Sequence, residues 1–151
     1  CSPMQLTIID SVCKNVRVLQ SFVDELNLGN KTECIQSRAE EFASDRSESF
    51  EFVTARAVAQ LSTLIEYATP FLKLNGKAVF SKGRLSSDEF EHAKLTAQIC
   101  GMKLVSRETF ELPDESGHRE LLTYVREKDP KVRLPRRNGL AKSEPLYMKL
   151  K

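Results

Sequence analysis

Closely spaced metal ligands and long apolar runs are both absent from the sequence. The cysteines and histidines are few and include no C-x-x-C pair: Cys1, Cys13, Cys34, His92, Cys100 and His118. Because a structural zinc site needs soft ligands at short spacing, we expect free buried thiols and no bound metal. No run approaches the roughly 18 apolar residues of a spanning helix, and no charged-then-apolar leader opens the chain. These absences predict a cytoplasmic protein without membrane contact.

Catalytic constellations and glycine-rich loops are missing as well. The six glycines are scattered, so none of them belongs to a loop that could cradle a cofactor. No Ser/His/Asp set and no pair of carboxylates marks the chain for nucleophilic or acid–base catalysis, and no internal repeat is visible. What remains is a chain of 151 residues, 40% apolar and 29% charged, which is the composition of an ordinary globular domain.

Positive charge is concentrated at the end of the chain. From Lys131 onward there are seven Lys or Arg and one Glu, a net charge of +6, whereas residues 1–130 have a net charge of −4. This asymmetry indicates a polyanionic partner bound at one edge of the molecule. We expect residues 1–130 to form the folded domain and residues 131–151 to form a poorly regular basic tail.

The first half of the chain predicts strands that alternate with helices. An extended apolar run at residues 6–9 ends on Asp10, and strands are also predicted at residues 32–36 and 50–55. The helix after the first strand ends at a glycine-containing stop at residues 27–30 and has apolar residues at helical spacing: Val16, Leu19, Val23 and Leu26.

The helix after residues 50–55 has a broad apolar face: Leu61, Leu64, Ile65, Ala68, Phe71 and Leu72. Asn75-Gly76 is expected to turn the chain into a fourth strand at residues 77–81, which Lys82-Gly83 closes. Ser86 and Glu89 form a capping-box signature, in which Ser86 accepts the amide of Glu89 while the Glu89 side chain reaches back to the cap.

The capped helix is predicted to run to about Cys100 and to stop at Gly101. After it, the spacing of the apolar residues changes from helical to strand-like. Residues 103–112 and 119–128 are strand-like and are joined by too few residues for a crossover helix, so they predict an antiparallel hairpin. Alternating strands and helices that end in a hairpin are typical of a methyltransferase sheet, whereas a dinucleotide dehydrogenase half would keep alternating.

Polar residues at the predicted strand ends are the candidates for chemistry, since open α/β sheets bind ligands at the carboxyl ends of their strands. Asp10 could accept hydrogen bonds from the hydroxyls of a ribose, or equally could stabilise the start of the helix that follows it. Arg56 suits a ligand pocket, or a surface ion pair with Glu40 or Glu51. Lys82 could bind a ligand at the same strand ends, or could be a solvated lysine in a turn.

Three segments together resemble one family: Ser-Arg-Ala-Glu-Glu-Phe at residues 37–42, Thr-Ala-Arg-Ala-Val-Ala at residues 54–59 and the proline- and arginine-rich run at residues 133–146. The family is that of the glucose-inhibited division protein B methyltransferases (RsmG). Its members methylate a guanine N7 of small-subunit (16S) ribosomal RNA with S-adenosylmethionine. The resemblance implies a Rossmann-like class I methyltransferase sheet with helices on both faces and the C-terminal hairpin.

The resemblance also implies roles for single residues. Asp10 would bind the ribose of the cofactor, Ala39 and Glu40 would line its adenine side, and Arg56 would contact the cofactor and help to place the target base. Glu40 also suits a plain helix start. The tail would contact RNA phosphates through four basic residues: Arg133, Arg136, Arg137 and Lys142. A solvated, disordered terminus is the alternative for the tail, and solvated side chains are expected for both histidines.

Part of the family pattern is missing from this sequence. The first strand of the sheet and the glycine-rich loop that cradles the methionine portion have no counterpart, and losing that central strand would expose two unpaired edges. We expect a carboxy-terminal fragment, inactive alone, of a protein that is a monomer when complete. Its predicted partner is small-subunit ribosomal RNA or a ribosomal particle. A non-catalytic RNA-binding module is the main alternative, and a nicotinamide-dependent oxidoreductase is a weaker one.

Overall fold

The computed structural model describes residues 4–56, 59–113 and 117–150. Strands and helices alternate in the first two thirds of the chain, and short 3-10 turns are formed at Thr69–Phe71 and at Leu146–Leu150. The strands are β1 (Leu6–Asp10), β2 (Thr32–Gln36), β3 (Phe50–Arg56), β4 (Leu72–Lys82), β5 (Met102–Glu111) and β6 (His118–Arg126). The helices are α1 (Cys13–Glu25), α2 (Ala39–Asp45), α3 (Leu61–Ala68), α4 (Ser87–Cys100) and α5 (Leu140–Ser143).

The chain divides into two compact units, Cys1–Phe42 and Ala43–Lys151. In the first unit, β1 and β2 form a parallel pair whose register runs from Leu6 opposite Thr32 to Asp10 opposite Gln36. The predicted strands and the helix between them are confirmed. Only Val23 of the predicted apolar face of α1 is fully buried, whereas Leu26 caps the end of the helix and is 67% exposed.

The second unit is built on a four-stranded sheet in the order β3-β4-β6-β5. The pairing of β3 with β4 is parallel, and β6 runs antiparallel to both β4 and β5. The predicted C-terminal hairpin is therefore confirmed. Its connecting loop includes residues 114–116, which lie outside the described residues, and a hydrogen bond from Leu112 N to Gly117 O closes it.

The start of β4 differs from the prediction. The helix ends at Ala68 because Pro70 cannot donate a backbone hydrogen bond, and a 3-10 turn leads directly into a strand that begins at Leu72. Asn75, with φ 66°, lies within this strand rather than before it. The extra residues form a bulge, since Phe50 pairs with Leu72 but Phe52 already pairs with Lys77.

The core of the second unit lies between its sheet and the helices α3 and α4. It buries apolar side chains from every one of these elements and one from the tail: Leu61, Leu64, Ile65, Leu72, Ala78, Phe80, Ala93, Ile99, Leu122, Tyr124 and Leu146. Phe80 and Tyr124, from neighbouring strands, pack with ring centroids 5.9 Å apart. Four of the six residues predicted for the apolar face of α3 lie in the helix, and the other two, Phe71 and Leu72, are also buried.

One half of the predicted capping box at the start of α4 is present. Ser86 accepts a hydrogen bond from the amide of Glu89 at 3.1 Å, as expected for an N-cap. The Glu89 carboxylate does not return to the cap, because it is bonded to the start of α3 instead. At the other end, Gly101 adopts φ 70° and ends the helix as predicted.

The tail is more regular than the sequence indicates. After Gly139 it forms α5, and the second 3-10 turn begins at Leu146, which is 1% exposed and belongs to the core cluster. Burial of this leucine and of Ala141 supplies the apolar contact that a solvated tail would lack. The disordered-terminus alternative is therefore wrong for residues 140–150.

Substituting Gly101 tests how the end of α4 is built. A Cβ at this position would lie 2.3 Å from the carbonyl oxygen of Lys128, at a positive φ that L residues rarely adopt. We expect Gly101→Ala to lower the free energy of unfolding by about 2 kcal/mol or more, measured by urea denaturation. Gly83→Ala is the control, since a Cβ there meets nothing within 4 Å. Equal midpoints for the two variants would contradict this packing.

Candidate functional site

Asp10 ends β1, and both of its carboxylate oxygens are hydrogen-bonded. Oδ1 accepts the amide of Val12 at 2.7 Å and Oδ2 accepts the side-chain amide of Asn15 at 3.0 Å. These bonds fix the carboxylate at the beginning of α1, as the helix-start alternative requires. An ionised carboxylate has about four acceptor positions, so two remain for other donors such as a pair of ribose hydroxyls.

The end of β2 lies beside Asp10. Because the two strands are parallel and in register, the amide of Ser37 donates to the carbonyl of Asp10 at 3.1 Å. The chain then turns into α2, where Ala39 is the first residue and Glu40 is buried at 9% exposure. Asp10, Ala39 and Glu40 thus lie at the carboxyl edge of one parallel pair. Glu40 is also the helix-start residue that the alternative predicted.

Arg56 is the last residue of β3 and lies opposite Ser81 in β4. Its side chain is exposed, and within the part of the chain that the structure describes its guanidinium has no ion-pair partner. The predicted pairing with Glu51 is not formed, because that carboxylate lies 3.6 Å from the amine of Lys73. The adjoining motif residues 57 and 58 lie outside the described residues.

Lys82, at the end of β4, is not the solvated lysine that one alternative predicts. Its side chain is only 14% exposed, and its amine donates to the carbonyl of Ala59 at 2.7 Å. The same amine lies 2.9 Å from Glu89 Oε1, which also accepts the amide of Leu61 at 2.9 Å. A lysine from the strand and a glutamate from α4 therefore hold the beginning of α3.

The buried carboxylate of Glu120 lies at the same end of the sheet as Lys82, since the two residues are paired in β6 and β4. It accepts the amide of Leu85 at 3.0 Å and the Arg107 guanidinium at 2.8 Å. Burial acts to raise the pKa of Glu120, but the hydrogen bonds from Arg107 and Leu85, together with the charge interactions with Arg107 and His118, outweigh it, and the pKa lies below its ordinary value. His118, predicted to be solvated, is 19% exposed and lies 2.7 Å from Glu111 Oε1.

Arg136 has a different role from the predicted phosphate contact. Its Nε and Nη2 atoms donate to the two oxygens of Glu66 at 2.6 and 2.7 Å, and Nη2 also donates to the carbonyl of Glu144. The two side chains are 8% and 4% exposed. A guanidinium that is bound bidentately to a buried carboxylate cannot also lie against an RNA backbone, so this residue fixes the tail to α3.

The other three predicted RNA contacts are accessible. Arg133, Arg137 and Lys142 all have exposed side chains. The tail is also held by its one aromatic residue, because the Tyr147 ring stacks on His92 with centroids 3.8 Å apart and planes within 1°. His92 was predicted to be solvated, and this stacking corrects that interpretation.

The cysteines and the possible metal ligands suggest no additional site among the described residues. Cys13 is exposed, contrary to the predicted buried thiols, whereas Cys100 is buried and burial raises its pKa to about 12. Over residues 4–56, 59–113 and 117–150, no three His, Cys, Asp or Glu side chains are placed to hold a metal ion. In the same ranges, no helix combines the length and the apolar character needed to cross a bilayer.

A cavity of about 390 Å³ lies at the other end of the sheet, near the beginning of β4. Arg126, which is 4% exposed on its side chain, contributes to its wall and is bonded to Glu48, Asp129 and the Leu72 carbonyl. The charge of Arg126 is therefore paired with two carboxylates, while its buried Nε atom has no hydrogen-bond partner among the described residues.

Comparison of the sequence with known proteins shows the family of this chain. A family model described as rRNA small subunit methyltransferase G (GidB) matches residues 1–120. The ribosomal RNA small subunit methyltransferase G of Lactococcus lactis subsp. cremoris is 36% identical over 145 residues, which are 95% of this chain and 60% of the relative. The protein of the same name from Staphylococcus aureus strain Newman is 34% identical over 147 residues. The chain thus spans about 60% of the length of these relatives.

Solved structures of methyltransferases share the fold of this chain. A SAM-dependent methyltransferase from Methanosarcina mazei superposes with a TM-score of 0.66 at 12% identity, covering 82% of each chain. A putative methyltransferase from Thermoplasma acidophilum gives a TM-score of 0.65 at 14% identity, covering 82% of this chain and 58% of the other. At this identity the likeness shows the fold alone, and it confirms the predicted Rossmann-like class I methyltransferase fold.

The lowered pKa of Glu120 predicts a pH dependence of stability. Its ionised form contributes stability above the unfolded pKa, near 4.5, and this contribution is lost as the pH falls through the lower folded pKa. We expect the difference in free energy of unfolding between wild type and Glu120→Gln to shrink as the pH is lowered below 4.5. Urea denaturation at a series of pH values measures it. Glu91→Gln, an exposed pair with Lys94, is the control, and a difference independent of pH would contradict the assignment.

Proposed function

Because this chain belongs to the rRNA small subunit methyltransferase G family, we propose that it is part of an enzyme that methylates N7 of a guanine in small-subunit ribosomal RNA. The methyl donor in this proposal is S-adenosylmethionine. The observation that carries it is the family match over residues 1–120, which include all the polar strand ends that could bind the donor.

The residues at the end of β1 fit the ribose of this donor. Asp10 is held in place by Val12 and Asn15, so no rotamer has to be selected when the ligand binds. The two acceptor positions that remain on its carboxylate match the two vicinal hydroxyls of a ribose. We assign the ribose contact to Asp10 on this basis.

The start of α2 fits the adenine. Ala39 has a small side chain, which lets a flat base approach the backbone, and Glu40 follows it in the first turn of the helix. The donor also has a methionine portion, for which the family uses a glycine-rich loop that the six scattered glycines of this sequence do not form. The described residues therefore account for the adenosine part of the donor.

We assign the contact with the target base to Arg56. Its guanidinium is exposed at a strand terminus and has no ion-pair partner among the residues that the structure describes, so it can bind a carboxylate, a phosphate or a base edge. A guanidinium bound to both O6 and N7 of guanine would occupy the lone pair that must react. We therefore place the contact of Arg56 with the base at O6, or with a phosphate beside it.

The chemistry needs little more than positioning. Guanine N7 has a free lone pair that takes no part in base pairing, so no general base has to remove a proton. The donor supplies an electrophilic methyl group, and holding the reacting atoms in line at roughly 3 to 3.5 Å contributes on the order of 7 to 11 kcal/mol. The lack of a catalytic triad or carboxylate pair in the sequence is consistent with this reaction.

The exposed cations of the tail are assigned to the RNA backbone. Arg133, Arg137 and Lys142 are accessible, and the tail that carries them is fixed by the Glu66–Arg136 pair and by the stacking of Tyr147. Phosphate contacts position a nucleic acid without reading its sequence. We therefore assign to the tail the orientation of the RNA, and to other parts of the protein the choice of guanine.

Arg56→Ala tests the assignment of the reacting end. In the longest natural form of the protein that contains this sequence, we expect the rate of methyl transfer to small-subunit ribosomal RNA to fall by about 100-fold or more. Arg56→Lys, which keeps the charge but loses the planar fork, should recover only part of the rate. Lys94→Ala removes an exposed charge from α4 and is the control. Wild-type rates for Arg56→Ala would contradict the role of Arg56 in the reaction, whereas a wild-type protein that transfers no methyl group would favour a non-catalytic RNA-binding module.

The tail variants separate an RNA contact from a structural contact. Arg137→Ala with Lys142→Ala should leave the free energy of unfolding unchanged and reduce the salt slope of RNA binding by about 0.7 to 0.9 for each lost phosphate contact. Arg136→Ala should lower the free energy of unfolding by about 3 to 5 kcal/mol, because it leaves Glu66 buried without its partner. RNA titrations at several salt concentrations and urea denaturation measure both. The assignments are wrong if the two sets of variants behave alike.

A further inference from the structure

The guanidinium of Arg107 is held at one edge and on one face. Its Nε atom donates to Oε2 of Glu120 at 2.8 Å, and its central carbon lies 4.5 Å from the centre of the Phe90 ring. A cation at this distance from an aromatic face is attracted to the ring. Among the described residues, no second ring lies on the opposite face. The two contacts therefore fix the plane of the guanidinium and leave one face without an aromatic partner.

Both supports of this guanidinium are themselves fixed. The Glu120 side chain is 3% exposed, and its other oxygen accepts the amide of Leu85 at 3.0 Å. Phe90 is half-buried and packs against the core of the second unit. The Arg107 side chain, in contrast, is 38% exposed. An accessible side chain on two fixed supports is preorganised, so it loses little conformational freedom when a ligand binds to it.

Pairing with Glu120 does not by itself require an arginine. A lysine amine could also lie beside that carboxylate, but an amine is a compact charge without a flat face. What the guanidinium adds is a plane, which Phe90 supports from one side. Guanidinium planes and aromatic rings are the groups on which proteins stack the unpaired bases of RNA.

Arg107 lies toward the same end of the sheet as the candidate residues for methyl transfer. Glu120 pairs with Lys82 at the end of β4, and Arg56 lies opposite Ser81, the residue before it. In the strand order β3-β4-β6-β5, three strand spacings separate the backbones of Arg56 and Arg107, which is about 14 Å. This separation exceeds the width of one base, so the two arginines would contact different nucleotides.

We propose that Arg107 is a stacking platform for an unpaired base of the RNA, on the face opposite Phe90. The proposal rests on the proposed function and deepens it, since it assigns a base contact outside the tail. The stacked base is a neighbour of the guanine that is methylated. Every base has a flat π face, so this contact accepts any base and positions the RNA without reading its sequence.

Abasic substitution of the RNA tests the stacking contact. In single-stranded fragments of small-subunit ribosomal RNA that the longest natural form binds, each nucleotide in turn is replaced by an abasic residue. For the wild type we expect at least one position at which loss of the base weakens binding by about five- to 100-fold. In Arg107→Lys, which keeps the charge beside Glu120, the penalty at that position should disappear. Lys103→Ala removes an exposed charge from the same strand and should keep the wild-type pattern.

A measurement on the wild type is independent of how a variant folds. We expect the Nε proton resonance of Arg107 to move upfield when the intact fragment is added, because a stacked base shields it. With the fragment that is abasic at the sensitive position, the resonance should stay in place.

The possible outcomes separate this proposal from the proposed function. The stacking role is overturned if no abasic penalty depends on Arg107, or if the resonance moves equally with both fragments. An Arg107-dependent penalty in a wild-type protein that transfers no methyl group would overturn the proposed function alone. Failure of the wild type to bind any of the fragments would overturn both.

Discussion

Parallel pairing of neighbouring strands is the constraint on which the rest of this structure depends. In the first unit it places the end of β1 beside the end of β2, so that Asp10 and the start of α2 share one edge. In the second unit it places Arg56 opposite Ser81, next to Lys82. Because parallel strands end together, polar residues that are separated by more than twenty positions in the sequence become neighbours. Each group of candidate residues is a consequence of this geometry.

Much of the fold follows from local patterns in the sequence. Alternating apolar residues predict β1, β2, β3 and the hairpin of β5 and β6, and the serine and glycine at its ends predict α4. The positions of Asp10 and Arg56 at strand ends follow from the same patterns. Their roles in binding stay predictions, since they depend on the family resemblance and not on the strand positions.

The contacts that the sequence does not predict are made between distant residues. Arg136 and Glu66 are seventy positions apart, and nothing near either of them indicates a bidentate buried pair. The Glu89 carboxylate fits a capping box locally, but the amide of Leu61 and the amine of Lys82 compete for it. The charge of the tail therefore does not distinguish its structural arginine from its accessible cations. The apolar residues of the tail, such as Leu146, are the signal that it packs against the core.

S-adenosylmethionine is expected to bind at the carboxyl ends of the parallel strands. The most direct measurement is a titration of the longest natural form with S-adenosylmethionine, followed by amide chemical shifts in NMR spectra. We expect the largest shift changes at Asp10, at residues 37–40 and at Arg56. Changes confined to the other end of the sheet, around Arg126 and Lys131 at the wall of the cavity, would contradict it.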